Sequence, residues 1–145
     1  EGLKDGEGKS FTYDRAFFVG EQDFYIPQDT DGPFKKYDNT GGDMADQLEV
    51  MRRLYPTPEV FNGKVGTLTG ENAMKHKVGE PVMFIPPQAP RDPRPPLIGG
   101  HGYLVWEAGS FNDNPDTNLE TWLIRGGSAG AMVYTFKQPG VYAYV

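Results

Sequence analysis

Few side chains in this 145-residue sequence could do chemistry, and their spacing narrows the choice further. There are two histidines, His76 and His101, and no cysteine. Thiolate metal ligands, disulfides and a cysteine nucleophile are therefore excluded, and the redox compartment is left open. The two histidines are far apart with no ligand pattern around either, and one histidine beside an arbitrary serine is not a triad. His76, between Lys75 and Lys77, reads as a solvated surface histidine. Gly99-Gly100-His101-Gly102 follows a proline-rich loop and precedes an apolar run, the wrong context for a phosphate-binding strand–loop–helix. Arg91, Asp92 and Arg94 form a local charged cluster, solvated or salt-bridged within its loop. On residue types alone the sequence describes an all-β domain without a demonstrable active site.

Any site must be held by the stretch from Pro81 to Trp106. Seven of the thirteen prolines fall between Pro81 and Pro96, after the apolar run Val82-Met83-Phe84-Ile85 and before Leu104-Val105-Trp106. Proline fixes φ and donates no hydrogen bond, so the segment reads as a rigid extended loop joining two strands, where sites are commonly displayed. The plainer reading is a loop that wraps a barrel end.

The rest of the chain fits one all-β domain with many turns: 19 glycines, 13 prolines and eight tyrosines in a chain of net charge −6. The acidic balance argues against nucleic acid or an anionic membrane as partner, and no apolar run is long enough for a membrane span. Residues 1–10 read as a linker or arm. Strands are expected at Ala16–Val19, Asp23–Ile26, Val60–Phe61, Val82–Ile85, Leu104–Glu107, Thr121–Ile124, Ala129–Phe136 and Val141–Val145, the last two as a hairpin-like pair around Gln138-Pro139-Gly140. Asn62-Gly63 is a turn. One helix is expected, capped by Asp43 and ended by Pro56, with Met44, Leu48, Met51 and Leu54 as a packing stripe. The final run alternates Val141, Ala143 and Val145 with Tyr142 and Tyr144, as a two-sided strand does.

Six stretches carry a more specific signal: Gly20 to Tyr25, Val60-Phe61-Asn62-Gly63, Leu68-Thr69-Gly70, Leu97 to Gly102, Glu120-Thr121-Trp122 and Tyr134 to Val145. In order and in register, they resemble the second, C-terminal cupredoxin domain of copper-containing nitrite reductases. Residues 1–10 resemble the interdomain connector and 11–145 the second domain, expected to stop before its last strand and so to leave an unpaired edge. The resemblance implies a cupredoxin-like Greek-key β-barrel or sandwich with one short helix. It also implies a periplasmic homotrimer of two-domain subunits acting in denitrification. Each second domain would meet the first cupredoxin domain of its own and of a neighbouring subunit, and a small redox protein would donate electrons. Type-1 copper would receive the electron; nitrite would be reduced to nitric oxide at type-2 copper between subunits, with an acid and a histidine supplying protons.

Carried over residue by residue, the resemblance is uneven. Ile98 matches the isoleucine that shapes the pocket, and Thr121 the threonine that positions the catalytic histidine. That histidine's own position holds Pro96, in Arg94-Pro95-Pro96-Leu97-Ile98. Proline cannot relay a proton. The family's histidine ligand follows Tyr-Val, which here is Tyr144-Val145 at the end of the sequence. His101 matches a family histidine that is not a ligand, and Tyr103 replaces the usual aspartate. No copper ligand is therefore expected on this chain, and the chain alone is expected to be inactive. The alternative is a non-catalytic cupredoxin-like module that is structural or trimer-forming. A relative of the multicopper oxidases is a weaker reading, since His-X-His pairs and a cysteine are missing.

Overall fold

The computed structural model describes residues 3–30, 32–89 and 97–144. The order of elements is β1 (Arg15–Phe18), β2 (Glu21–Asp23), α1 (Met44–Arg52), β3 (Glu59–Phe61), β4 (Pro81–Ile85), β5 (Leu97–Ile98), β6 (Gly102–Trp106), β7 (Asp116–Leu119), β8 (Ala131–Thr135) and β9 (Ala143–Tyr144), with a 3₁₀ turn at Gly70–Asn72. The main sheet runs β1-β4-β8-β6-β7; β2-β3 and β5-β9 form two small sheets. Among the strand pairs of the described residues, β1 and β4 run parallel, Arg15 opposite Val82, and the others are antiparallel.

The continuous apolar runs arise because the central strands are buried on both faces. Val82 and Phe84 of β4, Val105 of β6 and Met132 and Tyr134 of β8 join one buried cluster with Val19, Leu97, Trp122 and Ile124. Their neighbours Met83, Leu104, Trp106, Ala131 and Val133 form a second cluster on the opposite face. Side chains alternate across a strand, so a strand covered on both sides needs no polar positions. The second face is covered partly by Leu3 and Phe11, with Phe11 stacked on Trp106 at 5.9 Å. The polar arm is thus folded back on the sheet, its turn closed by Asp5 Oδ1 accepting from the backbone N–H groups of Glu7 and Lys9.

Several strand and turn expectations hold to within a residue or two. Asn62-Gly63 has φ of 50° and 84°, the left-handed pair that such a turn requires. Asn62 also ties down the β1–β2 junction, accepting from Gly20 N–H and donating to the Phe18 carbonyl, both at 2.9 Å. Three expectations fail: the second strand is Glu21–Asp23 and shares only Asp23 with the expected Asp23–Ile26. The strand expected at Thr121–Ile124 lies instead at Asp116–Leu119, and Thr121–Ile124 is irregular. Trp122 and Ile124 are apolar because they fill the core beside the ladder, and burial alone does not distinguish the two roles. β8 and β9 do not form a hairpin: β8 pairs with β4 and β6, and β9 with β5.

The helix is found where expected but turned over. Asp43 has helical φ and ψ and makes no capping hydrogen bond, because a cap needs extended backbone to aim its side chain at the first turn. No residue of α1 is buried. Met44, Leu48 and Met51, with Leu54 and Tyr55 just beyond, face solvent at 44–75% exposure. The expected packing stripe is therefore exposed and does not join either buried cluster. The half-buried side is made of Asp43, Asp46 and Val50 and is tied down through Asp46, which accepts from Lys35 Nζ at 2.9 Å and from the Tyr37 hydroxyl at 2.7 Å.

Candidate functional site

The proline loop is anchored at its start. Pro86 is fully buried and Gln88 nearly so. The Gln88 N–H donates to the Ser128 carbonyl, and its carbonyl accepts from Gly127 N–H. From there the chain passes through residues 90–96, so Pro96 and the Arg91, Asp92 and Arg94 cluster lie outside the described residues. It re-enters at β5, where Leu97 faces Tyr144 and Ile98 faces Ala143.

Ile98 and Thr121 are each presented by a buried neighbour. Leu97 and Trp122 sit in the same core cluster, while Ile98 is 50% exposed and Thr121 is exposed. Tight glycines maintain this arrangement. A methyl group on Gly102 would meet Val105 Cγ2 at 2.6 Å and Met132 Cγ at 2.8 Å; one on Gly100 would meet the Tyr134 ring at 2.5 Å. Gly99, with φ of 98°, would likewise bring a methyl to 2.9 Å from the Tyr142 ring, so only hydrogen fits at all three glycines of the Gly-Gly-His-Gly stretch.

His101 is exposed beside this turn, its Nδ1 3.3 Å from Asn118 Oδ1, in a hollow of about 470 Å³ that also involves Tyr103, Tyr134 and Lys137. Burial, and secondarily Tyr142, raises the titration of the Tyr134 phenol above its ordinary value. His76 lies elsewhere and is not the solvated histidine expected from its lysine neighbours. It is half-buried, with its ring 6.3 Å from those of Phe17 and Phe136 and its Nε2 3.1 Å from the Glu80 carbonyl. Both lysines are exposed while the ring between them is half-buried, so flanking charge was a poor guide.

His76 lines a second hollow, an apolar cleft of about 610 Å³ walled by Phe17, Phe84, Leu97, Phe136, Tyr142 and Tyr144 among others. Sequence reasoning did not find this cleft, because its walls come from six separate segments. The Tyr144 phenol is held well above its usual range, first by burial and then by the charge of Glu21. Among the described residues no group of three or more His, Cys, Asp or Glu side chains could hold a metal ion. The residues present do not fit a copper centre by themselves.

Two packed apolar layers, a mixed five-stranded sheet and small flanking sheets define a cupredoxin-like all-β fold with one helix. Solved structures agree: a copper-containing nitrite reductase from Thermus scotoductus SA-01 covers 92% of this chain at a TM-score of 0.68 and 14% identity, over 27% of its own length. One from Nitrosomonas europaea covers 92% at 0.63 and 21% identity, over 44% of its length. The chain belongs to the multicopper oxidase family, whose profile matches residues 15–145. That membership restores a kinship which the missing His-X-His pairs and cysteine had argued against; ancestry resides in the barrel residues and does not depend on the ligands. Among curated proteins, the copper-containing nitrite reductases of Rhizobium meliloti (strain 1021) and Alcaligenes faecalis are 59% and 58% identical over all 145 residues. The chain spans 39% of the length of each. Among the described residues no helix is long and apolar enough to cross a membrane.

Proposed function

We propose that this chain is the second cupredoxin domain of a copper-containing nitrite reductase, a periplasmic homotrimer that reduces nitrite to nitric oxide. The observation that carries the reading is the 59% identity maintained along the whole chain. In this reading copper is held by residues outside the chain, and a small redox protein delivers electrons to the first domain. The outward display of Ile98 and Thr121 supports a site completed by another polypeptide surface, with Ile98 as part of its wall and Thr121 as a positioning residue. The open cleft beside β9 supports a domain whose closing strand lies beyond these residues. In this reading the chain by itself does not turn over nitrite, since Pro96, at the position of the catalytic histidine, has no proton to move.

The test compares the 145-residue chain with the full-length subunit, each given copper, an electron donor and nitrite. Stoichiometric copper and nitric oxide release are expected of the full-length protein only; release by the chain alone would overturn the reading. In the full-length protein Pro96→His should raise turnover, and no change would remove position 96 from the catalytic set. A second reading is favoured by Pro96 itself: a structural or trimer-forming module that has lost its chemistry. In that case the full-length protein forms trimers and binds no type-2 copper.

A further inference from the structure

We propose that the hollow beside the Gly-Gly-His-Gly turn binds a small organic oxyanion, a carboxylate or a phosphate monoester. At its base is the phenol of Tyr134, a residue 8% exposed whose hydroxyl makes no hydrogen bond among the described residues. The oxygen lies against Gly100, where a methyl group would stand 2.6 Å from it, and both residues line the hollow. Burial, and secondarily Tyr142, raises the titration of this phenol, so it carries its proton at neutral pH and has one to donate. Buried hydroxyls are as a rule hydrogen-bonded, and one left without a partner forfeits the water it gave up on folding. An acceptor reaching in from the hollow meets that need.

Charge and size choose the occupant. His101, Tyr103, Asn118, Thr135 and Lys137 complete the lining, and none is acidic in a chain where Asp and Glu outnumber Lys and Arg by 20 to 14. Lys137 forms no ion pair among the described residues, so its ammonium is available to an anion and opposes a cation. The opposite rim is fixed: His101 Nδ1 is 3.3 Å from Asn118 Oδ1, and Asn118 is held at φ of 59°, a conformation few non-glycine residues adopt. A water takes up about 30 Å³, so a bare inorganic ion would leave most of the 470 Å³ unfilled. Pockets of about 300–1,000 Å³ suit small organic molecules, and the rings of Tyr103 and Tyr134 offer such a ligand apolar surface.

Equilibrium dialysis of the full-length protein against radiolabelled benzoate, and separately against phenyl phosphate, tests the site. Neither copper nor turnover enters the readout, so its failure and a failure of the nitrite reductase reading are told apart. Saturable binding of at least one probe is expected, one site per chain, with Kd of about 1 mM or tighter; the probe that binds selects carboxylate or phosphate monoester. Tyr134→Phe should weaken it about two- to tenfold, the worth of one hydrogen bond. Lys137→Gln should weaken it about two- to fivefold, as an exposed charge pair does. Absence of saturable binding by both probes would overturn the proposal, as would binding that either variant leaves unchanged. Tyr134→Phe also removes a hydroxyl with no partner, so the unfolding midpoint of the ligand-free protein should hold or rise. A fall would show that the phenol is already hydrogen-bonded within the protein, which overturns the proposal equally.

Discussion

Replacing Gly100 by alanine tests the claim that the Gly-Gly-His-Gly turn is set by contact with the core. The added methyl would lie 2.5 Å from Tyr134 Cζ, 2.6 Å from its hydroxyl oxygen and 2.8 Å from Cε2, so the ring or the turn must move by nearly 1 Å. The ring has little room to retreat. Tyr134 is 8% exposed and packs edge-on against Phe136 at 5.0 Å, with Tyr142 at 6.3 Å. Forcing a methyl into such packing costs about 1–3 kcal/mol. For a domain of this size that is a fall of roughly 3–10 °C in the unfolding midpoint. Thermal and urea unfolding of the subunit carrying Gly100→Ala, with and without Tyr134→Leu, measures both the cost and its source. Removing the ring should relieve the clash, so the double variant should lose less than the sum of the singles by about 0.5–3 kcal/mol. A Gly100→Ala protein within about 0.5 kcal/mol of the parent would refute the contact argument. So would strict additivity with Tyr134→Leu.

Other outcomes follow from the anchor of α1 and from the displayed pair. The Tyr37 phenol is pushed up to about 12 by desolvation and by its bond to Asp46, so Asp46→Asn should lower that midpoint without returning it to 10, as read by phenolate absorbance. The Asp46 carboxyl is held below its ordinary 3.8 by Tyr37 and then Lys35. Its contribution is therefore complete above that value and is lost as pH falls through the lowered one, so the protection of amides in residues 44–52, taken relative to the intrinsic exchange rate at each pH, should fall on acidification below about 4; protection that is flat with pH would break the link. Ile98→Ala and Thr121→Ala, both on exposed side chains, should each change stability by no more than about 0.5 kcal/mol. If they shape a shared site, nitrite turnover of the full-length enzyme should fall while its unfolding midpoint stays in place.

What could be read in advance divides along local and non-local lines. β4, β6 and β8 were legible because strands buried on both faces have no polar positions, and Asn62-Gly63 because left-handed backbone leaves few choices of residue. The pairing of β9 with β5 instead of β8 was not legible, since a short apolar strand has nothing in its sequence that names its partner. Trp122 and Ile124 imitated a strand because burial leaves the same trace whether or not a ladder is present. The helix was found and its orientation reversed: an apolar stripe says that a face will be covered and is silent about what covers it. His76 was misplaced by its charged neighbours, while its aromatic contacts come from Phe17 and Phe136, each some sixty residues away. For the candidate site, Ile98 and Thr121 came from resemblance alone, and residue chemistry would not have selected either.

The parallel pairing of β1 with β4 joins residues 67 positions apart, Arg15 with Val82. Closing a loop of that length costs about 4 kcal/mol in chain entropy, yet doubling the loop would add only about 0.6 kcal/mol more. The exposed part of that excursion, α1 and its outward stripe included, can therefore be lengthened, shortened or rewritten with little effect on the main sheet, provided that core residues such as Val19 and the Asn62 tie are preserved. Related chains should vary most in this excursion, where a lineage could change what the domain touches while preserving the sheet beneath it.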